Sequence, residues 1–84
     1  MPQWEIEYER EAANYFSDNA PYTNVLFDKI EELADTLEGL PAEGYVSFAG
    51  EINHYWWYIL DHDVLFEIIK VGKPTIRIWV VKPV

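Results

Sequence analysis

Residues 52–82, INHYWWYILDHDVLFEIIKVGKPTIRIWVVK, decide the fold class of this 84-residue chain. Apolar side chains recur there with a period of two, which is typical of β-strands. The predicted strands are Ile52–Leu60, Val64–Lys70 and Thr75–Lys82. The segments between them, Asp61–Asp63 and Val71–Pro74, are short and rich in turn-forming residues. Such short connections predict an antiparallel meander.

The first half of the chain predicts a strand and two helices. Trp4, Ile6 and Tyr8 alternate with glutamates, which predicts a half-buried strand over 3–8. A short helix follows over 9–16. Apolar residues then recur at spacings of four, three and four, which predicts a second, amphipathic helix. Its apolar face comprises Leu26, Ile30, Leu33 and Leu37.

Proline and glycine mark the ends of this second helix. Pro21 suits its first turn, Gly39 is its expected C-cap, and Pro41 prevents its continuation. A short strand over Tyr45–Phe48 follows. The order of strand, two helices and a run of strands predicts one α+β domain over residues 1–84, with the helices on one side of the sheet.

The charge of the chain is acidic and uneven. The formal net charge is −9, residues 1–51 hold twelve acidic and two basic residues, and residues 52–84 hold three acidic and four basic ones. Nucleic acid is therefore not an expected partner. Cysteine is absent, which excludes disulfide and thiol chemistry. The start MPQWEIEYER lacks the apolar core of a signal peptide, and no apolar run approaches the roughly 20 residues of a membrane helix. We expect a cytoplasmic protein with no membrane partner.

Alternation assigns most strand residues to a side of the sheet. We expect Ile76, Ile78 and Val80 to face the helices. The same side should hold Val64, Phe66 and Ile68 of the preceding strand. The uncovered side should then hold Thr75, Glu67, Arg77 and Trp79. The central strand stays open, because Trp56 and Trp57 point in opposite directions and neither alternate set is polar.

The stretch YWWYILDHDVLFEIIKVGKPTIRIWVV resembles the C-terminal sheet of RelE/ParE-family toxins of bacterial toxin–antitoxin pairs. That family commonly has an aromatic-rich strand ending in an acidic turn, an apolar strand, and a glycine turn similar to Val71-Gly72-Lys73. The start of the chain, with a short strand, then 9–13 and a helical hairpin, is also similar. So is the spacing of Leu40-Pro41, Gly44 and Ala49-Gly50. The resemblance covers almost all of the chain and implies the family's two-layer fold.

The resemblance does not extend to the residues of RelE-type ribonucleases. The place of their early arginine in the central strand falls on His54, and the place of the basic residue after the glycine–lysine turn falls on Pro74. The last residues, 80–84, supply neither the usual tyrosine nor the usual histidine. The resemblance implies that Tyr55, Trp57 and Ile59 face the helices, and it completes the uncovered side. This open face comprises His54, Trp56, Tyr58, Glu67, Arg77 and Trp79.

Two functions compete for the open face. His54, Glu67 and Arg77 are the candidate catalytic residues, because a base, a carboxylate and a phosphate-binding cation are what RNA cleavage requires. Tryptophan, tyrosine and arginine are also the residues most enriched at interface hot spots. We favour a protein-binding surface formed by His54, Trp56, Tyr58, Arg77 and Trp79.

Three other groups have simpler interpretations. Asp61-His62-Asp63 has metal-ligating side chains, but three such residues at a hairpin tip are good turn formers, and no metal or cofactor is expected. The bases Lys70, Lys73, Arg77 and Lys82 are expected to be solvated hairpin charges. Glu5, Glu7 and Glu9 are expected on the solvent side of the first strand, where like charges discourage edge pairing.

Three hypotheses follow. In the preferred one, the chain is a diverged RelE/ParE-like protein that acts through protein contact, with an antitoxin-like or other protein partner. The resemblance also includes ParE-type members, which act on gyrase and do not cut RNA. The missing nuclease residues therefore do not exclude toxicity. The second is a ribosome-dependent messenger RNA endoribonuclease with a substituted site that uses His54 and Arg77. The third is a stand-alone small acidic binding protein or homodimer.

Overall fold

The computed structural model describes residues 3–84, which form two α-helices, a 3₁₀ segment and five strands. The helices are α1 (Arg10–Asn19) and α2 (Asn24–Glu31), and the 3₁₀ segment Glu32–Asp35 extends α2. The strands are β1 (Glu5–Tyr8), β2 (Tyr45–Ser47), β3 (His54–Ile59), β4 (His62–Ile69) and β5 (Thr75–Pro83). The predicted α+β class and order of elements are confirmed. None of the helices within residues 3–84 is long and apolar enough to cross a membrane.

The sheet has the order β1-β5-β4-β3-β2. Strands β2 to β5 form the predicted antiparallel meander, and β1 lies parallel to β5, with Glu5 opposite Thr75. The first strand thus pairs with the last, so β1 and β2 are the two edge strands. The helices lie between β1 and β2 in the chain and provide the long connection from one edge of the sheet to the other.

The core lies between the helices and one side of the sheet. Alternate residues of β4 and β5 supply its centre, and Phe66, Ile76 and Ile78 are fully buried. Trp57 is 6% exposed, and its ring meets Phe66 edge to face at 6.3 Å. Trp56 lies on the other side of the sheet and is half-buried. The assignment of Trp57 to the core is therefore confirmed. The helical segments contribute Ala12, Phe16, Leu26, Ile30 and Leu33.

A β-bulge in β5 overturns one predicted core position. Phe66 lies opposite Ile78, but Leu65 lies opposite Val80, so Trp79 is an extra residue in β5. A bulge shifts the alternation by one residue. Val80 consequently faces away from the helices, and Val81 takes the core position at 6% exposure. Thr75 keeps the predicted side but is buried, and its hydroxyl donates to Lys73 O at 2.8 Å.

The β3–β4 turn is shorter than predicted. Leu60 and Asp61 form it, with φ of 50° and 61°. Two adjacent residues with positive φ are typical of the tight hairpin turns whose twist matches the twist of paired strands. His62 and Asp63 therefore begin β4 and are not part of the turn. His62 is only 4% exposed.

The second helix also ends earlier than its apolar pattern predicts. The backbone N–H and the hydroxyl of Thr36 both donate to Leu33 O, at 3.2 and 2.8 Å, and close the 3₁₀ turn. Leu37 therefore lies outside the helix and is 76% exposed. Gly39 is not the C-cap. Its φ of +75° belongs to the following turn, where an added Cβ would approach Trp4 at 3.1 Å. Pro21 precedes α2 and is not in its first turn.

Tyr8 connects β1 to α2. Its ring stacks on Phe27 and meets Phe16 edge to face, and its hydroxyl donates to Glu31 Oε2 at 2.6 Å. Burial raises the pKa of Tyr8 far above its ordinary value, and the hydrogen bond to the Glu31 carboxylate and that group's charge raise it further. The neutral phenol is the form that the fold holds.

Replacing Phe66 by alanine should lower the free energy of unfolding by about 3–5 kcal/mol, because the fully buried ring would leave a cavity among Tyr55, Trp57 and Ile78. Urea denaturation followed by tryptophan fluorescence measures this. Val71 is 89% exposed in the β4–β5 turn, so Val71→Ala is the matched control and should stay within about 0.5 kcal/mol of wild type. Equal losses in the two variants would contradict the assigned core.

Stability should fall as the pH rises above the ordinary tyrosine pKa of 10.0, because the unfolded chain then releases the Tyr8 proton and the folded chain keeps it. The contribution is complete below that pH and is lost towards the raised pKa of the folded state. Urea denaturation between pH 8 and the alkaline limit of folding should show a shallower decline for Tyr8→Phe than for wild type. Tyr22→Phe, at a ring 73% exposed, should keep the wild-type slope.

Candidate functional site: the open face of the sheet

The open face is built from rows of residues that lie opposite one another on neighbouring strands. The central row is apolar: Val46, Trp56, Leu65 and Val80. One flanking row is polar: His54, Glu67, Arg77 and Glu7. The other flanking row contains Tyr58, Asp63 and Lys82. An apolar centre bordered by polar side chains is the ordinary anatomy of a protein-binding surface.

The structure brings the three predicted catalytic residues onto adjacent strands. Glu67 lies opposite His54 on one side and opposite Arg77 on the other. Its Oε1 is 3.6 Å from His54 Nε2 and accepts a hydrogen bond from Trp79 Nε1 at 3.1 Å. His54 Nδ1 donates to Ile52 O at 2.9 Å, and its ring stacks on Trp79. Trp79 therefore holds the histidine and the carboxylate together.

Arg77 binds Glu7 of β1 and Glu9, the residue before α1, and not Glu67. Its Nη2 donates to Glu7 Oε1 at 3.2 Å, and its Nε lies 3.4 Å from Glu9 Oε1. The Nε–H is buried and, within residues 3–84, has no hydrogen bond of good geometry. The guanidinium also lies over Trp79, 5.7 Å from the ring centre. Two carboxylates thus neutralise the one cation that the predicted chemistry needs beside His54.

Trp56 lies at the centre of the open face. The ring centre of Phe48 lies 6.1 Å from that of Trp56, and the ammonium of Lys82 lies 5.3 Å from the Trp56 ring centre. Lys82 makes no ion pair within the part of the chain that the structure describes. Tyr58 is 54% exposed, and its hydroxyl donates to Asp61 Oδ1 at 3.0 Å. The five predicted binding residues therefore lie on one face, in two groups around Trp56 and Trp79.

The groove next to Trp79 is small and acidic. Its volume is about 300 Å³, and it is lined by Glu9, Arg10, Glu11, Trp79 and Val80. Two carboxylates against one guanidinium repel a phosphate backbone. The predicted general base and carboxylate lie close together, and the predicted cation, Arg77, is paired with Glu7 and Glu9.

The Asp61-His62-Asp63 segment divides between the β3–β4 turn and the start of β4. His62 points into the core, where its Nδ1 donates to Leu60 O at 2.7 Å and its Nε2 lies 2.7 Å from the Tyr15 hydroxyl. Because the carbonyl fixes the proton on Nδ1, Nε2 accepts from Tyr15 when the ring is neutral. Within residues 3–84, no group of three or more histidine, aspartate or glutamate side chains is arranged to hold a metal ion. Two of the bases expected to be solvated hairpin charges are instead paired, Lys73 with Glu5 and Arg77 with Glu7.

Sequence reasoning missed the apolar row and the Tyr15–His62 contact. Leu65 carried a usable signal, because it alternates with the core residues Val64 and Phe66. Val80 carried no signal, since the bulge at Trp79 is a tertiary feature. The contact of Tyr15 with His62 joins residues 47 positions apart and had no local signal either.

Comparisons with known proteins do not assign the chain to a family. No protein-family model matches it, and neither the curated proteins nor the solved structures include a significant match.

Replacing Arg77 by methionine should lower the free energy of unfolding by about 1–2 kcal/mol, because Glu7 and Glu9 would lose their shared cation and repel each other. Lys73→Met is the matched control, since Lys73 also pairs with a glutamate of β1 but is 76% exposed. Its unfolding midpoint should stay nearly unchanged. The effect of Arg77→Met should shrink in concentrated sodium chloride, and an effect independent of salt would contradict the electrostatic explanation.

Proposed function

We propose that the protein is a diverged, RelE/ParE-like, cytoplasmic toxin-family protein of bacteria that acts through protein–protein contact and lacks RelE-type nuclease activity. The observation that carries the proposal is the engagement of Arg77 by Glu7 and Glu9 beside an open aromatic surface. A phosphate-binding cation is absent from the described surroundings of His54, whereas the side chains for protein recognition are present.

The order of elements supports the resemblance. A short first strand, a helical pair and a C-terminal meander occur in the order that the resemblance implies. The aromatic strand β3 ends in a turn that contains Asp61, as in the pattern on which the resemblance rests. An acidic chain is poorly suited to ribosomal RNA, because like charges oppose the approach of the phosphate backbone.

The contact surface is the apolar row with its two groups of aromatic and charged side chains. Trp56 is the central anchor, and Lys82 lies over it without a carboxylate partner in residues 3–84. A complementary partner would therefore present apolar side chains to Trp56 and Val80 and a carboxylate to Lys82. An extended, helix-bearing antitoxin segment lying across the sheet would meet this requirement.

One observation favours a second candidate function. His54 and Glu67 lie 3.6 Å apart on the open face, and histidine and glutamate are both common general-base side chains. In this alternative the protein is a ribosome-dependent endoribonuclease, and a phosphate-binding cation would have to come from the ribosome or from a rearranged Arg77.

Expression of the chain in its native host, with affinity capture and mapping of messenger RNA ends, separates the two functions. We expect one stoichiometric protein partner with wild type, its loss with Trp56→Asp, and its retention with Val71→Asp, which alters the β4–β5 turn and not the open face. Messenger RNA ends should be the same for wild type and His54→Ala.

Two results would count against the proposal. Codon-phased cleavage that His54→Ala abolishes would establish the nuclease instead. Recovery of ribosomes alone, with equal yield from the Trp56→Asp and Val71→Asp variants, would exclude the open face as the contact surface.

A further inference from the structure

The two edge strands of the sheet differ in how they meet solvent. The β1 edge carries Glu5 and Glu7, and such charges oppose pairing with another strand. The β2 edge belongs to the segment 44–50, GYVSFAG, which has no charged residue. Within that segment Val46 is 65% exposed and Phe48 is 36% exposed. The β2 edge is therefore unprotected by charge.

The hydrogen-bond pattern identifies which main-chain groups of β2 are free. Tyr58 N donates to Gly44 O, and Phe48 N donates to His54 O, both at 2.9 Å. In an antiparallel ladder such bonded positions alternate with positions that point away. The main-chain N–H and C=O groups of Gly44, Val46 and Phe48 therefore point towards β3. Those of Tyr45 and Ser47 point to the free edge. Among the backbone hydrogen bonds of residues 3–84 outside the ladders, none involves these four groups.

We infer that β2 pairs with β2 of a second copy of this chain, antiparallel and about a two-fold axis at Val46. Tyr45 then lies opposite Ser47 of the second copy, and the four outward groups on each strand edge satisfy one another. Val46 meets Val46 of the second copy at a position without hydrogen bonds, where side chains approach most closely. A self-complementary edge of this kind is what a two-fold interface requires.

The side chains fit this register on both faces. Phe48 would lie opposite Gly44 of the second copy, which has no side chain to oppose the ring. Glu43 would lie opposite Ala49 and not opposite another carboxylate, so no like charges face each other directly across the paired strands. The apolar row of Val80, Leu65, Trp56 and Val46 would continue without interruption into the same row of the second copy, across a ten-stranded sheet.

The choice of a second copy follows from this symmetry. The free main-chain groups of Tyr45 and Ser47 are centred on the exposed Val46 and lie within the uncharged segment, so a copy of β2 satisfies them all at once. The dimer does not depend on the proposed function, because its contacts use the sheet edge and leave Trp79, Arg77 and His54 accessible.

Sedimentation of the full chain over a wide concentration range tests the dimer, with Ser47→Pro and Ser47→Ala as a matched pair. Proline removes only the outward N–H of Ser47 and keeps the bonds from β2 to β3. We expect a concentration-dependent dimer for wild type and for Ser47→Ala, and a monomer for Ser47→Pro. A wild-type chain that stays monomeric, or a dimer that survives Ser47→Pro, would overturn the inference.

Disulfide cross-linking tests the register in variants that keep the edge intact. The chain has no cysteine, so Val46→Cys and Ser47→Cys each introduce a single thiol. Across the two-fold axis the Val46→Cys thiols approach within disulfide geometry, whereas the Ser47→Cys thiols lie diagonally and too far apart. We expect mild oxidation to convert most of the Val46→Cys protein to a covalent dimer and little of the Ser47→Cys protein. Equal conversion, or none in either variant, would exclude the proposed pairing even if Ser47→Pro fails to fold.

Discussion

The extra residue in β5 is the constraint on which the open face depends. Trp79 has no opposite residue in β4, so the alternation of β5 changes between Ile78 and Val80. Without this bulge Val80 would enter the core and Val81 would face solvent. With it, the Trp79 indole lies beside Arg77 and His54 and donates to Glu67, while Val80 completes the apolar row. One extra residue thus places both Trp79 and Val80 on the open face and completes the central row.

The two cations that lie over the tryptophans of the open face, Arg77 and Lys82, have different surroundings. Arg77 lies between Trp79 and the carboxylates of Glu7 and Glu9, so its cation stabilises the joining of the first strand to the last. A side chain used in this way is not available to a phosphate. Lys82, by contrast, lies over Trp56 with its ammonium open to a partner. The two cations of the open face therefore differ, since Arg77 is paired within the chain and Lys82 has no carboxylate partner in residues 3–84.

The two edges of the sheet also differ in charge, and this difference bears on assembly. Glutamates on β1 face solvent and pair with Lys73 and Arg77, which leaves that edge charged and occupied. The β2 edge has neither charge nor cover, and its central row ends at an exposed valine. Since the apolar row runs directly to this edge, contact between two copies and contact with another protein would share one continuous surface while using different parts of it.

The sequence by itself determined the α+β class, the meander, and the burial of Phe66, Ile76 and Ile78, because period-two patterning and short turns are local properties. Its family resemblance correctly indicated Trp57 as the buried tryptophan. Tertiary structure alone decided the bulge at Trp79, the early end of the second helix at Thr36 and the burial of His62. Each of these depends on partners that the pattern does not reveal. The bulge depends on strand register, the end of the helix on the Thr36 hydroxyl, and the burial of His62 on its contact with Tyr15. The pairing of Arg77 with Glu7 was hidden for the same reason, since it joins the two ends of the chain.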